Sequence, residues 1–153
     1  MFRFAKDGCV RWPLSIQQVQ PDGSIADQSF IVTYLRLTPD ERTQRDTDVA
    51  AYLKQFRDLL VDDNNGQDAE RAALVAARKK QDDQLLRDRV KDWSGIGDQD
   101  GVTLPFSADL LDAFIADELL RNTLLQGLVN ASTGAKSKNS LPGLAGLPVP
   151  AQA

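Results

Sequence analysis

Histidine is absent from all 153 residues. It is the commonest general base at neutral pH and the commonest metal ligand, so its absence excludes Ser-His-Asp chemistry and ordinary zinc sites. A single cysteine, Cys9, rules out an internal disulfide and points to a reducing compartment. No apolar run approaches the roughly 18 residues of a membrane span. The opening MFRFAKDGCV lacks the apolar core of a secretory signal, so a cytoplasmic protein is expected. Positive charge is also in short supply: the net charge is −4, and the segment from Ser132 onward holds two lysines and no acid, so the remainder is more acidic still. An acidic body does not attract phosphate backbones, which disfavours nucleic acid as a partner.

What remains is ordinary globular composition, with 42% hydrophobic and 26% charged residues. Val10 to Val19 alternates, with Trp12, Leu14 and Ile16 on one side, and Pro13 marks the strand as an edge. QPDGS (Gln20–Ser24) is turn chemistry, and Ser29 to Leu37 reads as a second strand, giving a hairpin over residues 10–37. TPDE then signals a helix start, with Thr38 as N-cap, Pro39 at N1 and Glu41 at N3. Val49, Tyr52, Leu53, Phe56, Leu59 and Leu60 follow on one helix face, and Asp62–Gly66 ends it. A second helix is expected from about Asp68 to Val90, with an alanine stripe (Ala69, Ala72, Ala73, Ala76, Ala77). Its RKKQDDQ block, Arg78–Gln84, has no apolar residue, so the helix either projects into solvent there or breaks. Leu86, Val90 and Trp93 restore the stripe. Ser107 caps a last helical region reaching about Ala131, with Leu110, Leu111, Phe114, Ile115, Leu119, Leu124, Leu125 and Leu128. The expectation is an α+β fold, mostly α. One domain (1–131) holds an N-terminal β-hairpin and three to four helices (38–131), and a flexible Pro/Gly/Ser-rich tail follows (132–153).

Between the last two helical regions stands DWSGIGDQDGVTLPFS (Asp92–Ser107). With Gly101 at position 6 of an EF-hand loop, Asp98 and Asp100 fall at ligand positions, but positions 1 and 12 are Ile96 and Ser107, so calcium is not expected. The acidic GIGDQDG follows a helix and would repel phosphate. Asp98 and Asp100, two apart on a glycine-flanked turn, read as solvated groups rather than a hydrolytic pair. No enzymatic constellation remains, and neither a cofactor nor a metal is expected. The segment reads as a structured connection: Trp93 anchors the end of a helix, and DQDG turns at Gly101. Leu104 is extended before Pro105, and Phe106 can staple onto Leu111. Long ordered loops of this kind often serve recognition.

WSGIGDQDGVTLPFSADLL (Trp93–Leu111) is similar to the W-x-G-V-x-D-x-x-G-x-x-[LI]-P-F-[ST]-x-x-x-L segment of tail assembly chaperones from long-tailed bacteriophages. The front end, VRWPLSIQQVQPDGSIADQSFIVTYLRLTPDE, resembles that family's opening strands and first helix, and order and spacing agree over roughly residues 10–130. The resemblance implies a non-enzymatic protein of the host cytoplasm that binds the tape measure protein and keeps it soluble. Such a protein helps recruit tail-tube subunits and is absent from the finished virion. It also implies a frameshifted longer form of the same chain as a further partner. Arg78–Gln84 and the Leu-Pro-Gly tail have no counterpart in the family pattern. Candidate contact residues are Trp93, Gly95, Asp98, Asp100, Gly101, Leu104, Pro105 and Phe106 in the loop, and Phe114, Leu124, Leu125 and Leu128 in the last helix. Arg78, Lys79 and Lys80 form a further candidate surface that reads first as a solvated helix face, and the tail segment LPGLAGLPVP, which could dock in extended form, reads first as an inert tail. The alternative reading is a head–tail connector or a small host-directed adaptor acting by protein contact.

Overall fold

The computed structural model describes residues 7–61 and 67–134. The expected helix stop at Asp62–Gly66 and the tail segment 135–153 lie outside them. Two strands, β1 (Cys9–Val19) and β2 (Ile25–Leu35), pair antiparallel in unbroken register, Trp12 against Val32 and Leu14 against Phe30. The turn Gln20–Ser24 closes with Gln20 N–H on Ser24 C=O at 2.7 Å, and Gly23 takes the positive φ (84°) that other residues resist. β2 starts earlier than the Ser29 of the sequence reading because ladder pairing extends it to Ile25. Pro13 lies on an edge strand, as expected, since the sheet order is β1-β2-β3.

The third strand, β3 (Val90–Ser94), corrects the sequence reading, which placed Val90 and Trp93 on a helix. Helix α2 (Asp68–Arg89) runs into it with no loop, and Val90 is already extended at φ −80°, ψ 119°. β3 pairs with β2 antiparallel, and an irregularity falls between Thr33 and Tyr34. Residues three apart in a regular strand face opposite sides. The irregularity lets Val90 and Trp93 both turn inward, so a bulged strand imitates a helical spacing.

The helices follow. α1 (Pro39–Val61) opens with the expected capping box: Glu41 N–H donates to Thr38 Oγ1 at 3.2 Å, and Thr38 N–H to Glu41 Oε2 at 2.8 Å. The last helical region is two helices, α3 (Ala108–Ala116) and α4 (Glu118–Thr133), so α4 takes in the first residues assigned to the tail. Asp117 breaks them because it is extended (φ −86°, ψ 122°) and its carboxylate caps Leu120 N–H at 2.9 Å.

One face of the sheet packs on α4 and α3. Trp12, Leu14, Phe30, Val32 and Tyr34 meet Leu111, Ile115, Leu124, Leu128 and Ala131, with Leu86 and Trp93 from the α2–β3 junction. Tyr34 is fully buried and donates its hydroxyl to Leu124 C=O at 3.0 Å; burial pushes its phenol well above the ordinary value. Ser132 ties the end of α4 to the end of β2, accepting from Leu37 N–H at 2.9 Å. Gly127 allows this approach, for a Cβ there would stand 2.5 Å from Tyr34 Oη and 2.6 Å from Leu14 Cδ2.

Gly127→Ala is therefore expected to destabilise the protein by about 1–3 kcal/mol, the overpacking outweighing the gain in helix propensity of about 1 kcal/mol. Urea unfolding followed by tryptophan fluorescence measures this, and an unchanged or raised midpoint would contradict it.

Candidate functional site

The loop that carries most of the sequence candidates is tied down. Trp93 is buried and donates its indole N–H to Leu104 C=O at 3.0 Å. Its ring stacks on Phe114 at 4.9 Å and meets Phe106 edge-on at 4.8 Å. Asp98 accepts from the N–H groups of Asp100 (2.9 Å) and Val102 (2.8 Å), and Gly97 bridges Thr103, so the loop is a small hairpin closed by its own aspartate. Gly95, Asp98, Asp100, Gly101 and Pro105 are exposed; Leu104, Phe106, Phe114 and Leu125 are half-buried. Leu124 and Leu128 are fully buried against the sheet, which corrects their reading as contact residues: the close approach at Gly127 turns that face of α4 inward. The Asp92–Ser107 segment is thus a fixed surface projection, and Gly95–Gly97 at its base line a small cleft of about 210 Å³ against Ile16, Gln28, Phe30 and Phe114. Among the described residues no group of three or more His, Cys, Asp or Glu is placed to hold a metal, and no helix is long and apolar enough to cross a membrane.

The block Arg78–Gln84 behaves differently from either expectation. α2 is unbroken through it, and Asp82 and Asp83 are buried. Asp82 accepts from Arg78 one turn before it (2.6 Å) and from Arg45 of α1 (2.8 Å). Asp83 accepts from Lys79 (2.7 Å) and from Arg121 of α4 (2.5 Å). Arg121 also reaches to 3.8 Å from Asp82. Two adjacent carboxylates on α2 thereby clasp α1 on one side and α4 on the other. Burial alone would push both carboxyls up, but the hydrogen bonds and charges of Arg78 and Arg45 hold Asp82 below the ordinary value. Lys79 and Arg121 do the same for Asp83. Arg78 is therefore engaged in the interior, whereas Lys79 reaches Asp83 from an exposed position and Lys80 is exposed beside it. The sequence signal was present: bases at 78 and 79 precede acids at 82 and 83 by one helical turn each.

Above this clasp, α1 and the first half of α2 form a helical arm. Twenty-three residues make α1 about 35 Å long, yet none of them is buried. Val49, Tyr52, Phe56 and Leu59 are half-buried along the α2 side, with Tyr52 and Phe56 rings 6.1 Å apart. Leu53, Leu60, Val61 and Val75 are 50%, 53%, 78% and 43% exposed. The alanines expected to form a packing stripe on α2 all face solvent, because Leu74, Arg78, Asp82 and Leu85 make the contacts instead. Beside the arm lies a cleft of about 560 Å³, with Tyr52 and Val75 on the arm side and Ile115 and Ala116 at the α3–α4 corner. Arg78, Lys79, Asp82, Glu118 and Arg121 complete its lining. The sequence shows the α1 stripe as one helix face, but the cleft also needs Ile115, Ala116 and Arg121, which only the fold brings beside it. Comparison of the chain with protein-family models, with curated proteins and with solved structures finds no match.

The lowered carboxyls fix the sign of the acid response. Asp82 and Asp83 contribute stability that is present above their ordinary value of 3.8 and is lost as pH falls through the lower folded values. Asp82→Asn is expected to cost about 3 kcal/mol at neutral pH, since it leaves Arg45 and Arg78 without their buried partner. It also flattens the decline in stability between neutral pH and acid. Urea unfolding of both proteins at a series of pH values tests this; curves that run parallel through the acid range would contradict it.

Proposed function

We propose that this chain is a non-enzymatic assembly chaperone that holds an amphipathic helical segment of a client protein against the α1–α2 arm, over the cleft at the α3–α4 corner. One observation carries the reading: the arm leaves large apolar side chains uncovered on a helix that contributes nothing to the core. Leu53 and Leu60 stand one seven-residue repeat apart on α1, the spacing that anchors a partner helix, and Val75 adds a third apolar position from α2. Exposed apolar groups gathered on one element mark an interaction surface more often than groups scattered singly. Charges of both signs at the cleft margin, Lys79, Glu118 and Arg121, suit the polar flank of such a helix.

The sequence likeness of Trp93–Leu111 and of the opening hairpin supplies the identity of the client. On this proposal it is the tape measure protein of a long-tailed bacteriophage, an extended helical chain that needs cover until the tail tube assembles around it. The chaperone acts in the host cytoplasm and is absent from the finished virion. Tail-tube subunits and a frameshifted longer form of the chain are its further partners. The Gly95–Phe106 hairpin, rigid and exposed at its tip, serves as a secondary contact rather than the main groove.

The test is co-expression with the tape measure protein encoded in the same locus. The client is expected to stay soluble and to elute with this chain. Leu53→Lys combined with Leu60→Lys is expected to lower the recovered complex at least roughly tenfold, a loss of about 1.4 kcal/mol or more, while leaving the fold intact because both positions are exposed. A client that remains insoluble, with no complex, would overturn the proposal and shift the weight to a connector or host-directed adaptor.

A further inference from the structure

β1 forms one margin of the sheet along its whole length. Such a margin carries N–H and C=O groups with no ladder partner, which act as a template for another strand. Two observations fix which residues present them. Proline is accommodated on an edge strand with its nitrogen directed away from the ladder, which places Pro13 in the outward phase. Cys9, in the same phase, gives its N–H to the side chain of Asp7 at 3.1 Å rather than to β2. The opposite phase continues inward at the turn, where Gln20 bonds Ser24. Odd-numbered residues of β1 therefore aim their backbone groups outward. Those of Ser15, Gln17 and Val19 have no partner among the described residues.

Folded proteins blunt free margins with charge, proline or bulges. Pro13 blunts the inner half of β1. The outer half, Ser15–Val19, reads SIQQV, with no charge, no proline and regular pairing to β2. Val19 at its end is 70% exposed. We infer that Ser15–Val19 pairs antiparallel with the same segment of a second copy of this chain, about a two-fold axis through Gln17. In that register Gln17 faces Gln17, and Ser15 faces Val19 of the other copy. All are outward-phase residues, so each facing pair exchanges two hydrogen bonds. A two-fold axis brings like groups together, and the segment carries no charge to repel itself.

The surroundings fit the same axis. α4 begins near Ile16 and Gln18, where Leu120 lies, and runs back beneath β1 so that Gln126 and Asn130 flank Trp12–Ser15. With the axis at Gln17 the α4 helices of the two copies lead away from each other. The second copy's turn then falls beside Pro13 and Leu14, over a cleft of about 600 Å³ whose lining includes the exposed Leu119. The contact is short, so the expected dimer is weak and dependent on concentration.

The inference does not rest on the chaperone reading and is tested without a client. A hydrogen-bonded antiparallel pair sets Cα atoms about 5.5 Å apart, within disulfide range. In a full-length Cys9→Ser background, Gln17→Cys is expected to oxidise to a covalent dimer, whereas Asp109→Cys, exposed on α3, is not. Sedimentation equilibrium of the unmodified chain is expected to show mass rising with concentration. Gln17→Pro is expected to abolish that rise while preserving the circular dichroism spectrum, because it removes an N–H that β2 does not use. A chain that stays monomeric at every concentration reached would overturn the inference. So would a dimer that survives Gln17→Pro and gives no Gln17→Cys cross-link.

Discussion

Asp82 and Asp83 hold three helices in one arrangement, and the shape of the molecule outside the sheet depends on them. Each carboxylate is buried, and each accepts from one cation on its own helix and one from a neighbouring helix. Burying two adjacent negative charges costs several kcal/mol apiece, so the pair is tolerable only with this full set of partners. An apolar contact between α1 and α2 could slide by a residue with modest loss. An arginine bonded to a buried carboxylate at 2.8 Å cannot, so the clasp fixes register where apolar packing is thin. Arg89 repeats the device lower down, reaching Glu41 of α1 at 2.7 Å and Arg36 C=O at 3.2 Å.

The molecule thus has two parts held by different physics. The sheet with α3 and α4 is an apolar body, closed by Tyr34, Leu124 and Leu128 and by the tight approach at Gly127. The arm is held by ion pairs, a capping box and a half-buried seam, and it keeps its apolar residues outside. That division suits a protein whose partner supplies the missing apolar cover. On the proposed reading, the body retains the fold while the arm exchanges contact with solvent for contact with a client.

The parts of the fold that were legible in sequence are those where local chemistry decides. The Thr38–Glu41 capping box, the Gln20–Ser24 turn, where Asp22 accepts from Ser24 N–H, and the Ser107 cap are each a side chain answering a nearby backbone group, and each stands where the residues indicate. Pro13 identified the edge strand for the same reason. The third strand was illegible because a ladder irregularity gives Val90 and Trp93 a helical spacing, and no local residue announces the partner strand. The α1 stripe is visible in the sequence, but amphipathic periodicity gives a face and not its cover, and Leu53 and Leu60 on that face stay exposed. The clasp needed Arg45 and Arg121, both more than thirty-five residues from the acids they serve, and only the tertiary structure brings them there. Of the candidate contact residues, those at the loop tip are exposed, whereas Leu124 and Leu128 are buried against the sheet, a distinction that helical spacing alone does not make.

The central claim is that the arm, and not the Gly95–Phe106 hairpin, receives the client. Amide hydrogen exchange of the full-length chain, alone and in complex with the co-expressed tape measure protein, tests it most directly. The account expects α1 and the first half of α2 to exchange faster than β2 and α4 in the free protein, and to be slowed strongly in the complex. Protection that appears at residues 95–106 while α1 exchanges unchanged would contradict it.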